Sequence, residues 1–558
     1  MSATRLFFVA VGAMAILLSA PAATQSLLQE WRSDPIPPEN SFGELLALGA
    51  VGDVDGDSAP EIAIFDAQPP PPGITYSLGR LRLFSGRNGA VIRSTIGDPS
   101  RAFLGSRVAN LDDLDGDGIA DYGADNPAAN SSPWYYAWVA LSGATGSVIR
   151  LWTDCTWLSR GPDADGDGID DVLVCDRTWW DPLGFYPIGK AELRSGRTNA
   201  LIHTFYGGPT SWDLLGPSVR VGDVDADGVE DICFAFPGDW SRYVPAFGFV
   251  VYSGRPPFNQ LLRRTSYVGG NTFGMTVVGP GDVDGDGHSD IAAFDYGDRM
   301  SSGVAYSAVF SGRTGQPVLL IGPPFDNERF MVIAGPGDVD GDGYADLAGT
   351  GTGVELRSGR HGGVLLELPR SYAVDPRTGA ASGWPVAAGD LNGDEVPDLL
   401  LSNFRESWLG PFRRVTAWSL QHMDVAILGN GCSASSAVPP RIGATRSPRL
   451  GADFEVHVSR CEPNRSAALF VGLSSTLFGG TPLPIDLSLF GFPRCALHVS
   501  IDAMIETTTT GPQGNGRATV VLPIPNDQAL QGMRFHLQWA IVESVGVALT
   551  RALTCTIR

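Results

Sequence analysis

One ten-residue pattern recurs seven times along the 558 residues, and its spacing restricts the fold more than any other feature. The copies are GDVDGDSAPE from Gly52, DDLDGDGIAD from Asp112, PDADGDGIDD from Pro162, GDVDADGVED from Gly222, GDVDGDGHSD from Gly281, GDVDGDGYAD from Gly337 and GDLNGDEVPD from Gly389. Their first aspartates stand at 53, 113, 163, 223, 282, 338 and 390, so successive copies lie 60, 50, 60, 59, 56 and 52 residues apart. That period holds four short strands with their turns, the size of one propeller blade. A second marker runs in step: SGRNG at Ser85, SGATG at Ser142, SGRTN at Ser195, SGRPP at Ser253, SGRTG at Ser311 and SGRHG at Ser358. Each stands between two apolar or β-branched runs, the signature of a hairpin. The seventh unit has AWSLQHMDVAIL here, with Ser419 at the turn and no glycine.

Each unit therefore reads strand, acidic loop, strand, variable loop, strand, SGR turn, strand. The 70 Gly and 41 Pro, without a collagen period, agree with many short elements and tight turns. The expected fold class is all-β: a seven-bladed β-propeller over residues 40–428, closed into a ring that leaves no long sheet edge exposed, followed by a C-terminal β-sandwich over 429–558. The stretch Ser26–Trp31 (SLLQEW) can supply a strand to a terminal blade. Beyond Gly429 the repeats stop, and segments such as DFEVHVS, AALFVGLS and RFHLQWAIVES alternate as sandwich strands do. Seven cysteines fit an oxidising compartment. Cys432, Cys461, Cys495 and Cys555 are enough for two bridges, Cys155 and Cys175 flank the third acidic loop as a further candidate pair, and the connectivity is open.

Numbering the first aspartate of each loop as position 1, positions 1, 3, 5 and 9 carry side-chain oxygens in all seven copies. They are Asp53, Asp55, Asp57 and Glu61; Asp113, Asp115, Asp117 and Asp121; Asp163, Asp165, Asp167 and Asp171; and Asp223, Asp225, Asp227 and Asp231. The remaining sets are Asp282, Asp284, Asp286 and Asp290; Asp338, Asp340, Asp342 and Asp346; and Asp390, Asn392, Asp394 and Asp398. Gathering carboxylates in this way is repulsive unless a cation offsets them, and a set of hard oxygens suits Ca²⁺ better than Mg²⁺, which keeps its waters. Glycines at positions 4 and 6, such as Gly341 and Gly343, permit the tight backbone, and position 7, here Tyr344, offers a carbonyl. An EF-hand would need a bidentate Glu at position 12 and flanking helices. Position 12 is instead Ile64, Ala124, Val174, Phe234, Ala293, Gly349 and Leu401, in strand-like runs, so that reading is excluded. Up to seven structural Ca²⁺ are expected. The ligand positions hold 27 of the 61 acidic residues, and seven bound ions would move the net charge from −22 to about −8.

The phrase NTFGMTVVGPGDVDGDGHSDIAAF from Asn271, with SFGELLALGAVGDVDGDSAPEIAIF from Ser41, resembles the FG-GAP repeat of integrin α-subunit β-propellers and of related bacterial exported proteins. The resemblance covers residues 40 to 428 and implies a seven-bladed propeller with Ca²⁺ in its hairpin loops. Units three, four, six and seven lack the Phe-Gly pair, and Ser58 and Glu395 stand at position 6 where glycine is usual.

The first residues carry Arg5, an apolar run from Leu6 and a small-residue site at Ala20-Pro21-Ala22, the layout of a signal peptide over 1–22. No later stretch is long enough to span a bilayer, so a secreted, periplasmic or cell-surface location is expected. The acidic balance argues against a nucleic-acid partner. Loops after the second strands fall opposite the acidic loops, and Trp134, Tyr135, Trp179, Trp180, Trp240, Tyr243 and Trp408 on them either form a ligand face for sugar rings or a protein, or pack between blades. No HExxH, GxSxG or P-loop occurs, and Lys190 is the single lysine. The expectation is therefore an extracellular binding or adhesion module for glycan or protein, with no catalytic residues and not an enzyme. The alternative is a calcium-dependent polysaccharide lyase or another carbohydrate-active enzyme.

Overall fold

The computed structural model describes residues 27–32 and 48–558, apart from 69–77, 97–106, 126–136, 181–187, 208–217, 237–247, 266–272, 275, 296–305, 323–330, 351–353, 368–383, 394–395, 404–413, 421–424, 435–438, 445–446, 493 and 512–515. The expected signal peptide, residues 1–22, lies outside the described residues.

The described residues are all-β. Seven four-stranded antiparallel sheets follow one another along the chain, one for each acidic repeat. In unit one the strands are Leu48–Val51, Glu61–Gln68, Leu78–Phe84 and Val91–Ile96. In unit six they are Met331–Gly337, Asp346–Thr350, Val354–Arg357 and Val364–Glu367. All seven position-12 residues lie within second strands, as the exclusion of an EF-hand requires. Those strands read as continuous apolar runs because both faces are covered: Val172–Asp176 is buried at every position. Fourth strands alternate instead, and Gln260–Thr265 shows one face to solvent. All six SG hairpins carry a register shift on their third strand next to the turn, for example between Val251 and Tyr252.

The first strand of each sheet touches the first strand of the next, and Trp384–Gly389 touches Leu48–Val51, so the order closes on itself. Seven apolar clusters fill the spaces between consecutive sheets. The closing cluster joins Ile62, Ile64 and Phe84 of unit one to Leu400, Val415 and Ala417 of unit seven.

The seventh sheet departs from the repeat pattern in one respect. Its outer place is taken by Leu27–Arg32, which pairs antiparallel with Arg414–Trp418, the role open to the Ser26–Trp31 stretch. The run Val425–Leu428, which the repeat pattern assigns to unit seven, pairs with Gly546–Thr556 in a five-stranded C-terminal sheet. That sheet shares one core with a three-stranded sheet of Arg441–Ala444, Asp453–Cys461 and Gly516–Pro523, including Phe454, Leu469, Leu537 and Trp539. Of the two bridges the sequence allows here, Cys432–Cys495 is formed, while Cys461 and Cys555 are buried and not joined by a disulfide, as are Cys155, Cys175 and Cys233. The bridge agrees with an oxidising compartment. Among the described residues no helix is long and apolar enough to cross a membrane.

Candidate metal centres

Each acidic loop is wound by its own carboxylates. Where position 4 has its hydrogen bond, the position-1 Oδ1 accepts its N–H, at 2.7 Å in Gly56, Gly116, Gly341 and Gly393. The position-1 Oδ2 accepts the N–H of position 6, from 2.7 Å at Gly118 to 3.0 Å at Gly343. Position 3 accepts from the N–H of position 5, and position 5 from that of position 7, as in Asp117 to Asp115 at 3.3 Å and Ile119 to Asp117 at 3.0 Å. Winding this tight drives position 4 into the left-handed region, at φ 79° in Gly116 and 78° in Gly341. Ala226 adopts φ 60° at the same place, and Ser58 adopts 71° at position 6, both despite a Cβ.

Position 9 ties the loop to the rest of its sheet. Its second carboxylate oxygen accepts the N–H of position 2 in all seven units, between 2.6 and 2.9 Å. The other oxygen accepts the N–H of the SG glycine in five of them: Gly143, Gly196, Gly254, Gly312 and Gly359, between 2.8 and 3.1 Å. A Cβ on Gly143 would stand 2.0 Å from the Ala120 carbonyl, and one on Gly359 1.8 Å from that of Ala345. The SG turn is thus more than a hairpin connection: it clamps the acidic loop. Its arginines join in, with Arg87 donating to the Asp57 carbonyl at 2.9 Å and Arg197 to Asp167 Oδ2 at 3.2 Å. In the sequence this motif reads as a turn alone, although its strict phasing with the acidic loops is a signal of the contact. In unit seven Leu420 stands at the glycine place, beside Ser419, whose hydroxyl accepts from Asn392 Nδ2 at 3.3 Å.

The winding leaves carboxylate oxygens converging. One oxygen from each of Asp53, Asp55, Asp57 and Glu61 lies within 4.8 Å of the others, and the same holds for Asp113, Asp115 and Asp121; Asp163, Asp165 and Asp167; Asp223, Asp225 and Asp231; and Asp282, Asp284 and Asp290. In unit seven Asp394 lies outside the described residues. Burial raises the position-9 acids, to about 7 in Glu61, Asp171 and Asp290 and about 6 in Asp121 and Asp231, and the position-3 carboxylate pushes the same way in all five, joined by position 1 in all but Asp290. Asp346 too is raised well above the usual carboxylate range, by burial first and then by Asp340, Asp338 and Asp342. Converging hard oxygens whose charge the protein alone disfavours fit a divalent cation such as Ca²⁺, and the clusters can bind metal ions.

On the opposite face Trp179 is half-buried with its ring 5.1 Å from that of Tyr206, and Trp180 is 56% exposed. Trp134, Tyr135, Trp240, Tyr243 and Trp408 lie outside the described residues.

No family model matches the chain. It is similar to integrin alpha-PS2 of Drosophila melanogaster, 26% identical over 208 residues, and to integrin alpha-4 of Xenopus laevis, 29% identical over 150 residues. These matches take in 33% and 23% of this chain but only 14% and 13% of those integrins. Among solved structures, rhamnogalacturonan lyase YesW matches at a TM-score of 0.41 and 13% identity, over 71% of this chain and 75% of that one. The β-propeller domain of the Trilobed protease from Pyrococcus furiosus matches at 0.39 and 11%, over 68% and 95%. The exotype rhamnogalacturonan lyase YesX matches at 0.37 and 14%, over 92% and 72%. The expectation that the chain is not an enzyme is corrected here, because two of these similar structures are lyases by name. The motifs absent from the sequence exclude only the chemistries that depend on them, and a single base beside a cation leaves no short motif.

Proposed function

We propose that this chain is an exported, calcium-loaded protein whose seven four-stranded sheets are the blades of an FG-GAP-type β-propeller, residues 40–428, followed by a β-sandwich, residues 429–558. The observation that carries the reading is the repeated loop, tied by the same position-2 to position-9 hydrogen bond in all seven units and bringing together carboxylate oxygens that could hold a metal ion. Positions 1, 3, 5 and 9 hold the ions; their charge offsets the mutual repulsion of the carboxylates and locks each loop to its SG turn. The opposite face engages extracellular glycan or protein. Calorimetric titration of the chelator-stripped protein with Ca²⁺ tests the metal reading: up to seven equivalents with a rise in melting temperature are expected, and no heat with no thermal shift overturns it.

A second reading, a calcium-dependent lyase acting on acidic polysaccharide, is supported by the likeness to two rhamnogalacturonan lyases. Incubation with rhamnogalacturonan in Ca²⁺ separates the two. Rising ultraviolet absorbance from unsaturated product supports the lyase, and saturable binding without turnover supports the binding module.

A further inference from the structure

Loops five and six differ from the others in what covers them. The three-stranded C-terminal sheet lays Arg441, Ser459 and Arg517, one from each strand, against these loops. Arg517 bridges both: Nη1 donates to the Gly343 carbonyl and Nη2 to the Gly285 carbonyl, each at 2.8 Å. Its guanidinium also lies 3.9 Å from the ring centroid of Tyr344. Arg441 donates to the carbonyls of Asp338 and, at 3.2 Å, Val339, with Nη1 3.8 Å from Asp338 Oδ2. Both arginines are buried, at 8% and 6% exposure, and so are Asp340 and Asp342, at 5% and 4%.

The bonded carbonyls belong to peptides whose N–H groups hold the ligand carboxylates. The peptide after Gly343 donates from Tyr344 to Asp342 at 2.9 Å, and the one after Asp338 donates from Val339 to Asp346 at 2.8 Å. The peptide after Gly285 donates from Asp286 to Asp282 and Asp284, both at 3.1 Å. A cation pulling on the carbonyl strengthens the N–H as a donor, so each guanidinium stiffens the carboxylate cradle from outside. The joint beside it is closed by apolar packing: Val339, Leu356 and Leu420 with Ile442 and Leu553 line a cavity of only ≈ 30 Å³.

We infer that Arg517 and Arg441 are positioning residues for the calcium centres of loops five and six, supplied by the C-terminal region, and that the ion in loop six exchanges only when that region lifts. The inference rests on the calcium reading above. The seven sites then fall into an open class and a covered class, and calcium at loop six is linked to docking of the C-terminal sheets. A lift costing about 1.4 kcal/mol slows release tenfold.

Stopped-flow mixing of the calcium-loaded full chain with excess fluorescent chelator tests this. The expected trace has a large fast phase and a minor phase at least about tenfold slower. Arg517→Gln is expected to merge the slow phase into the fast one with total calcium unchanged, and Arg441→Gln, an independent variant, to do the same. Arg87→Gln, which alters an open loop, leaves the slow phase in place. A single-phase release with calcium present, or a slow phase indifferent to both variants, overturns the inference while the calcium reading stands. Zero total calcium overturns the reading itself.

Discussion

Loops two and six carry nearly the same sequence, DDLDGDGIAD and GDVDGDGYAD, and share five internal hydrogen bonds, yet they stand in different surroundings. In loop two Asp115 and Asp117 are exposed, and nothing lies within 4 Å of where a Cβ on Gly116 would be. In loop six the equivalent carboxylates are buried, and a Cβ on Gly341 would stand 2.7 Å from Gly443 Cα. The winding is therefore intrinsic to the ten residues, whereas the environment is imposed by a region more than a hundred residues further along the chain. The largest test removes the cations altogether. On the calcium reading, each site at a hundredfold excess over its Kd contributes about 2.7 kcal/mol, so chelation is expected to lower the melting temperature steeply. Hydrogen exchange should then rise in 113–121 before 338–346; simultaneous loss would erase the distinction between the loops.

A smaller test separates what is intrinsic from what is imposed. The SG glycines meet the carbonyl of their own unit, at 2.0 Å for Gly143 and 1.8 Å for Gly359. Gly143→Ala and Gly359→Ala are therefore expected to cost about the same, roughly 3 kcal/mol each in denaturant unfolding. A clearly larger loss at Gly359 would mean that the covering sheet, and not the local clash, sets the penalty.

Much of this was legible in the sequence, for an identifiable reason. Among the described residues the position-1 and position-3 acids bond mainly within their own ten residues, as does one oxygen of each position-9 acid, so local order makes the winding legible, and the strand after each loop follows from its apolar run. What escaped depended on distant segments. The SG glycine meets its loop across a hairpin, Val425–Leu428 is claimed by Gly546–Thr556, and Arg517 reaches Gly285 from 232 residues away. No periodicity encodes such contacts. The cysteines show the same limit, since Cys432–Cys495 formed while Cys461 and Cys555 stayed apart.

Acid provides a third test, directed at the covering sheet. His457 is buried on the strand Asp453–Cys461, with Nδ1 2.9 Å from Thr519 Oγ1. Burial pulls its pKa down to about 3, and Arg360 adds to the effect. The folded state holds this ring neutral, so below about 6.5 the unfolded chain takes up the proton and stability falls as pH drops from there towards 3. At pH 5 the loss is about 2 kcal/mol. The raised position-9 acids act in the opposite direction when free of metal, so the measurement is the difference between wild type and His457→Gln in saturating Ca²⁺. A flat difference between pH 7.5 and 5 would place the acid sensitivity elsewhere.

The smallest expected effect lies in an open loop. Ala226 holds φ 60° where Gly116, Gly166, Gly285, Gly341 and Gly393 supply position 4. An L-residue there costs about 1–2 kcal/mol of backbone strain, and a glycine returns part of that gain as entropy lost on folding. Ala226→Gly is therefore expected to stabilise the fold by about 0.5–1 kcal/mol, read as a higher denaturant midpoint at unchanged slope. Because Asp225 is exposed and Asp227 half-exposed, the gain should appear without any change in the slow calcium-release phase. A change in that phase would show that the open and covered loops are coupled through the ring, and the two classes would no longer be independent.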